Sequence, residues 1–531
     1  MTKRLVQVSW HCKWNNGTVN MILPSSIFYL IIVLSNVHCM EYYVAAVYEH
    51  NSVLNPNPAA LTDRISALRF MSKNLDIYEE QVIAAAEKGA QIIVFPEDGI
   101  HGFNYSRQSI LPYLDFLPPD HLLPWNPCLE PHKFSDTEIL QRLSCIAKKG
   151  KMFLVANLGT KVLCDPLIYP CPSDGRFHFN TDIVLDDKGT LIARYFKQNL
   201  YFEYGFDVPP VVQNVVFDTP FASKFGILTC FDILFYEPTV SLIEKHNVKH
   251  VIYPTAWMNQ LPLLSAIQIQ RGFATGFKIN LLAANIHHTT LGMTGSGIYS
   301  PSNSFYHYDM MTENSKLIVA RLPVNPSTDM SLGSDVKLSP VNNYVHNDPV
   351  QFLPTHPACE KEEETDTCSR SVIEDHILPS VFHAEMMYDN FTFISLSRKE
   401  GIVHVCARRL CCYLNYKKDV LSNEFYALGV FDGLHTVHGT YSLQICAVVK
   451  CGGLKPSTCG HEVTYASSVI NFQLWGNFST GYIFPLLLTS NVTLVLPHHT
   501  GWEGKYYHMH ANKMSSGLVT GALYGRLYDE D

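Results

Sequence analysis

Three short runs carry a carboxylate, an amine and a thiol in settings suited to acyl transfer. In Phe95-Pro96-Glu97-Asp98-Gly99 an apolar strand turns at Pro96 into Glu97. Partial burial there would raise the carboxyl pKa toward the range of a general base. In Arg194-Tyr195-Phe196-Lys197-Gln198-Asn199-Leu200, Lys197 follows a strand, where its ammonium would stabilise a developing oxyanion. Cys230 stands alone in Phe225-Gly226-Ile227-Leu228-Thr229-Cys230-Phe231, followed by Asp232, at a junction that would present a thiol to a cleft. A free thiol of pKa about 8.5 is only slightly ionised near neutrality, so a neighbouring carboxylate that accepts its proton makes it a better nucleophile. Taken singly, each residue has a plainer reading: a solvated turn glutamate, a surface lysine with a snorkelling stem, an inert buried cysteine. Glu203, in the turn after Lys197, is either a supporting carboxylate or a solvated loop residue. Trp257, Met258 and Asn259, beside the strand Val251 to Tyr253, are either lining for a substrate pocket or ordinary core and turn residues.

The elements that must position these residues follow from periodicity. Tyr42 to Tyr48 has the length and apolar character of a strand, and Leu68, Met71, Leu75, Tyr78, Val82 and Ala85 mark a helix within Thr62 to Lys88 that stops at Gly89. Gln91 to Phe95 and Met152 to Ala156 are buried strands, with a second helix between Asp136 and Gly150. Asp186-Asp187-Lys188-Gly189 is a hairpin turn between Thr181–Leu185 and Thr190–Tyr195. This alternation predicts an α/β layered domain over residues 40–322, with each of the three candidate residues closing a strand, where ligands sit in many α/β sheets. Residues 323–380 are polar and proline-rich, with the charge run Glu360 to Glu364, and read as a connecting segment pinned by Cys359 and Cys368. Short apolar runs such as Leu428 to Phe431 and Tyr441 to Cys446 predict a smaller β-rich domain over 381–531.

Composition narrows the function classes. Of 531 residues 47% are hydrophobic and 16% charged, enough apolar surface to build cores and to exclude general disorder. The 39 basic and 48 acidic residues give a net charge of −9, which argues against nucleic acid as a partner. Lys3, Arg4 and Lys13 precede the apolar stretch Ile27 to Leu34 and then Ser35-Asn36-Val37-His38-Cys39, the layout of a secretory signal peptide over residues 1–39. The tail Leu518 to Asp531 ends in acids and carries no hydrophobic segment for a lipid anchor. A secreted, extracellular protein without a membrane anchor is expected. Four sequons, at Asn104, Asn390, Asn477 and Asn491, offer glycosylation sites. Of 15 cysteines, Cys12 and Cys39 fall in the leader, which leaves 13, so one cannot pair within the chain; by context that one is Cys230. The vicinal Cys411 and Cys412 are expected to enter two separate disulfides. His287-His288, His498-His499 and His508 with His510 lack the His-Glu-x-x-His spacing, so no metal and no cofactor are expected.

The order Glu97, Lys197, Cys230, each closing a strand, with Cys-Phe-Asp at the thiol, strongly resembles the nitrilase superfamily of carbon-nitrogen hydrolases. The runs Tyr253 to Met258 and Gly292 to Tyr299 look like its vanin and biotinidase branch. Glu41 to His50, Pro96 to Phe103, Trp125 to His132 and Ala427 to Tyr441 look more like the biotinidase side of that branch than the pantetheinase side. The resemblance covers both domains. It implies a nitrilase-like αββα sandwich followed by the β-rich domain, with Cys230 as nucleophile, Glu97 as base and Lys197 as stabiliser of the intermediate. It further implies a small-molecule biotinyl amide as substrate: the biotin–lysine amide of biocytin or of short biotinyl peptides, cleaved through a thioester. A pantothenyl amide is the alternative substrate, and a secreted biotin-binding protein without turnover is the alternative class.

Overall fold

The structure, a computed structural model, describes residues 41–119, 122–327, 380–419 and 423–531. The signal segment at 1–39, the charge run at 360–364, Cys359 and Cys368 lie outside the described residues.

Two sheets stack face to face in the first part of the chain. Strands β1 (Tyr42–Glu49), β2 (Ile92–Val94), β3 (Asp115–Phe116), β4 (Phe153–Leu163), β5 (Arg176–Leu185) and β6 (Leu191–Phe196) belong to one sheet. The other holds β7 (Val216–Phe217), β8 (Phe225–Ile227), β9 (His250–Thr255), β10 (Asn280–Asn285), β11 (Ser296–Tyr299) and β12 (Ser304–His307), after which β13 (Lys316–Pro323) returns to pair with β1. At the centre of each sheet the strands are parallel: β1, β2 and β4 in one, β8, β9 and β10 in the other. These strands read as nearly continuous apolar runs because both faces are buried. Along β1, Tyr43, Ala45 and Val47 face the core between the sheets, while Ala46 and Tyr48 face the helices outside.

Helix α1 (Arg64–Glu87) starts at Asp63, whose side chain accepts from the Ser66 N–H, and buries Met71, Leu75, Tyr78, Val82 and Ala85 along one stripe. It packs beside α2 (Glu138–Gly150) on the outer face of the first sheet. Helix α3 (Ala266–Phe277) covers the outer face of the second sheet, which completes an αββα sandwich. Two strands run further than their apolar runs predicted. β4 and β5 stay paired from Leu154↔Leu185 out to Leu163↔Arg176, carrying the buried polar residues Asn157, Thr160, His178, Asn180 and Asp182.

Residues 380–531 form β14 (Val381–Met386), β15 (Asp389–Ser395), β16 (Glu400–Ala407), β17 (Leu410–Lys418), β18 (Tyr426–His435), β19 (Tyr441–Lys450), β20 (Ile470–Gly476), β21 (Tyr482–Thr489), β22 (Thr493–Leu494), β23 (His499–Glu503), β24 (Tyr506–Ala511) and β25 (Leu518–Arg526). They make two antiparallel sheets, ordered β14-β15-β18-β19-β25-β21-β22 and β16-β17-β20-β24-β23. Cys406–Cys411 clips the β16–β17 hairpin, and Cys412–Cys446 joins the two sheets, so the vicinal cysteines do enter separate bonds. Cys451–Cys459, Cys128–Cys145 and Cys164–Cys171 close loops, and Cys230 is the one free cysteine among the described residues.

Helix α3 joins the two parts. Nine consecutive residues, Ala266 to Ala274, are buried, the pattern of a helix with no solvent face. One side rests on β10 and β11 and the other on β21. Gly272 permits this approach, since a Cβ there would stand 2.7 Å from the Leu486 side chain and 3.4 Å from the Pro485 carbonyl. Arg526 of β25, fully buried, donates to the Leu234 carbonyl at 2.8 Å, a polar tie across the same boundary.

Candidate active site

Glu97, Lys197 and Cys230 meet at one end of the two sheets, each just beyond the carboxyl end of the strand that delivers it: the parallel strands β2 and β8, and β6, which pairs antiparallel with β5. They are 1%, 2% and 7% exposed, so the plain readings of Glu97 and Lys197 as solvated side chains do not hold. Lys197 Nζ donates to Glu97 Oε1 at 2.7 Å and also to Glu203 Oε1. Glu203 thus lies on Lys197 rather than in solvent. Asn180 Nδ2 bridges the two carboxylates, 2.8 Å from Glu97 Oε1 and 2.7 Å from Glu203 Oε2. The other oxygen of Glu97 accepts from the Ala256 N–H at 2.9 Å, next to β9.

Charge in this nest is set by burial and close pairing. Burial works against the Lys197 charge, but Glu203 and Glu97 outweigh it and hold the ammonium well above the usual lysine value. Burial lifts the Glu203 carboxyl, with Lys197 opposing. Burial first, and then the Glu97 charge, push the Cys230 thiol well above its ordinary range, with Lys197 pulling the other way. At rest Lys197 is therefore held as the ammonium between the Glu97 and Glu203 side chains, and Cys230 beside them is held as the thiol. Such an arrangement can move the thiol proton to a carboxylate as sulfur attacks, while an ammonium faces the negative charge that develops.

The turn that carries Cys230 is held from beneath. Cys230 has φ 43°, in the left-handed region that a side chain disfavours. Asp232 Oδ2 accepts from the Thr229 N–H at 3.0 Å and from the Tyr195 hydroxyl at 2.7 Å, while Oδ1 accepts from Asn199 N and Nδ2, both at 2.8 Å. Thr229 Oγ1 donates to Asp182 Oδ2 at 2.7 Å, and the Tyr253 hydroxyl donates to the Cys230 carbonyl at 2.9 Å. Asn157 links Asp182, Asn180 and the Asp98 N–H.

Two chambers meet at Cys230. The larger, about 280 Å³, is lined by Glu97, Asp98, Lys197, Glu203 and the apolar Phe103, Phe206 and Met293. Asp98 Oδ1 is buried on its wall with no hydrogen-bond partner, and burial, with Glu97 beside it, lifts that carboxyl well above the usual range. The smaller, about 50 Å³, lies between the two parts of the chain and is walled by Phe231, Trp257, Tyr388, His435, His438 and Tyr441. Gly439 closes that wall, where a Cβ would stand 2.7 Å from the Phe231 ring. Of the sequence candidates for a pocket, Trp257 lines the smaller chamber and Met258 lines both. Asn259 lines neither, because its amide is spent on the loop: Nδ2 donates to the Gly292 and Thr294 carbonyls, and Oδ1 accepts from the Ala266 N–H. Asn104, of the first sequon, is exposed on the rim of the larger chamber, Asn390 and Asn491 are exposed, and Asn477 is half-buried.

Sequence reasoning missed Asn157, Asn180 and Asp182. Their signal was available: in His178-Phe179-Asn180-Thr181-Asp182-Ile183, one face of a buried strand is polar at alternate positions, which a core strand tolerates only for a network. It also missed Tyr388, His435 and His438, which reach Cys230 only through long-range packing and leave no local signal.

The carbon-nitrogen hydrolase family profile matches residues 66–277, and the vanin C-terminal domain profile matches residues 380–531. Biotinidase from Homo sapiens is 56% identical over 494 residues, covering 93% of this chain and 90% of its own length. Pantetheinase from Homo sapiens is 41% identical over 517 residues, covering 96% and 93%. Among solved structures, an amidase from Nesterenkonia sp. matches 55% of this chain and 94% of its own at 20% identity, with a TM-score of 0.37.

Proposed function

The chain belongs to the vanin/biotinidase branch of the carbon-nitrogen hydrolases and acts on amides, and on that premise we propose that it releases free biotin from biocytin and short biotinyl peptides, as a secreted enzyme. The observation that carries the reading is the buried Glu97–Lys197–Glu203 chain beside the free Cys230 thiol, all on one cavity wall. Identity to the human biotinidase at 56%, against 41% to the human pantetheinase, favours the biotinyl over the pantothenyl amide. Secretion is supported by the five disulfides, which persist in oxidising compartments.

In this mechanism Glu97 takes the Cys230 proton as sulfur adds to the amide carbonyl. Lys197 and the N–H of Phe231 stabilise the oxyanion, each good donor being worth about 3 kcal/mol. Glu97 returns the proton to the departing amine, the C–N bond breaks and a thioester remains. Water, deprotonated by Glu97, then displaces the thiol and frees the acid. Glu203 and Asn180 hold Lys197 and Glu97 in register. The larger chamber, near the lower end of the roughly 300–1,000 Å³ range of small-molecule pockets, takes the bicyclic acyl group. Asp98, whose Oδ1 is buried on its wall without a hydrogen-bond partner, offers a polar contact to a ureido ring.

Biotin release from biocytin by the purified chain tests the proposal, with Cys230→Ala and a pantetheine substrate alongside. Release by the wild type alone, with pantetheine turned over more slowly, is the expected result. Release by Cys230→Ala would remove the nucleophile assignment, and preference for pantetheine would replace the substrate. No turnover of either by folded protein would favour a binding protein.

A further inference from the structure

Beyond the cleft, two sets of histidine and carboxylate side chains come close enough to hold an ion, and their contacts tell them apart. In the buried set of Glu49, His287 and His307, both ring nitrogens of His287 face acceptors: Nδ1 is 2.7 Å from Glu49 Oε1 and Nε2 is 2.7 Å from the Thr312 carbonyl. A nitrogen facing a carbonyl at that distance carries hydrogen. Two tetrahedral ligands at about 2.0–2.1 Å from one ion would stand roughly 3.3 Å apart, so the Glu49–His287 contact fits a proton and not a metal.

The second set lies on one face of the β23–β24 hairpin. His499 pairs with His510 and Gly501 with His508, and the period of two along each strand puts His499, Glu503, His508 and His510 on the same face. Ligand atoms of Glu503, His508 and His510 lie within 4.8 Å of one another, and His499 Nε2 is 3.1 Å from Glu503 Oε1. The His499 and His510 rings are 5.2 Å apart and the His508 and His510 rings 5.9 Å. Gly501 stands in the middle of the four and leaves the space open: nothing lies within 4 Å of where its Cβ would be. His508 is fixed in orientation by stacking on Trp475 at 5.7 Å, which stacks in turn on Tyr413 at 5.6 Å.

We propose that this face binds a borderline divalent transition metal, zinc in the first instance, through the imidazoles of His499, His508 and His510 and the carboxylate of Glu503. Three imidazoles and one carboxylate are a donor set that suits zinc and its neighbours, whereas calcium and magnesium ask for oxygen ligands throughout. Glu503, His508 and His510 already converge, and His499, now paired with Glu503, would complete a tetrahedral site by turning toward them, which would pin β23, an edge strand of its sheet. None of the four lines either chamber at Cys230, so the site is independent of the proposed reaction. Helical His-Glu-x-x-His spacing does not expose such a set, because its ligands are two apart on one strand and opposite one another across a pair.

The test is calorimetric titration of the chelator-treated full chain with zinc chloride, using Glu503→Gln, His510→Ala and the control His404→Ala, an exposed residue that stacks on Tyr413 in the same aromatic row. One saturable site per chain is expected, weakened about tenfold or more by either ligand change and untouched by the control. Amide hydrogen exchange over residues 499–511 is expected to slow on adding zinc. No saturable binding, or equal affinity in all four proteins, would overturn the proposal. Glu503 is exposed and its glutamine is isosteric, so that variant keeps the test decisive should His510→Ala fail to fold.

Discussion

Replacing Asp232 by asparagine should disable the enzyme without touching its pocket. The carboxylate takes four hydrogen bonds, two on each oxygen, and an amide in its place must turn a donor toward one of these pairs. The less costly orientation keeps both Asn199 bonds and sets the new NH₂ against the Thr229 N–H and the Tyr195 hydroxyl. Tyr195 can rotate its hydroxyl, but the Thr229 amide cannot, and a buried unsatisfied donor costs about 1–3 kcal/mol. The same peptide leads into Cys230 at φ 43°, a conformation that persists only while its surroundings enforce it. Loss of about 2 kcal/mol shifts the ratio of presented to displaced thiol about 30-fold, and kcat falls by up to that factor. KM should move less than about twofold on this reasoning, since Asp232 lines neither chamber. The assay is steady-state biotin release with thermal unfolding measured alongside. A folded Asp232→Asn protein with kcat within about threefold of wild type would refute the reasoning, and so would a loss confined to KM.

Other outcomes follow from the same geometry. Asp98→Asn should keep biocytin turnover while Asp98→Ala raises KM, because an amide keeps a polar group at the position of the unpartnered Oδ1 on the chamber wall and a methyl does not; equal KM values for the two variants would contradict this. Tyr388→Ala, in the wall supplied by the second domain, should raise KM with kcat little changed, and a kcat loss instead would place Tyr388 in the chemistry. Burial disfavours the His287 charge, but the acceptors Glu49 and Thr312 O overcome it and raise that pKa. A raised folded-state value gives stability that is full below the unfolded value of about 6.5 and is lost as pH rises through the folded one. The wild-type Tm should therefore fall more between pH 6 and pH 9 than that of His287→Gln; parallel curves would end the argument.

Local signals made the strands of the sandwich, the two helices over the first sheet and the three candidate residues legible in the sequence. Glu97, Lys197 and Cys230 each follow an apolar run, and a run that ends in a polar residue is itself the mark of a strand mouth. Glu203 was legible because it lies six residues from Lys197, within one turn. What the sequence hid was set by contacts between distant segments: the Asn180 bridge to Glu97, the Asp232 anchor under Cys230, and the loop 435–439 folded against Phe231. Asn259 misled for the opposite reason. Its neighbours Trp257 and Met258 face the chambers, but its amide was claimed by the Gly292–Thr294 backbone, which proximity in sequence does not reveal.

A helix with no solvent face has a cost if its neighbour leaves. Were the second domain to detach, α3 would expose Phe273 and Phe277 to water, and Phe484 and Leu486 would be stripped on the other side. The two parts should therefore melt in a single calorimetric transition, with neither persisting as a soluble fragment after proteolysis of the chain between them. Seen this way, damage in the far β-sandwich, such as loss of the Cys412–Cys446 bond, lowers the amount of active protein rather than the quality of its active site, and measured activity per cell becomes a report on folding yield.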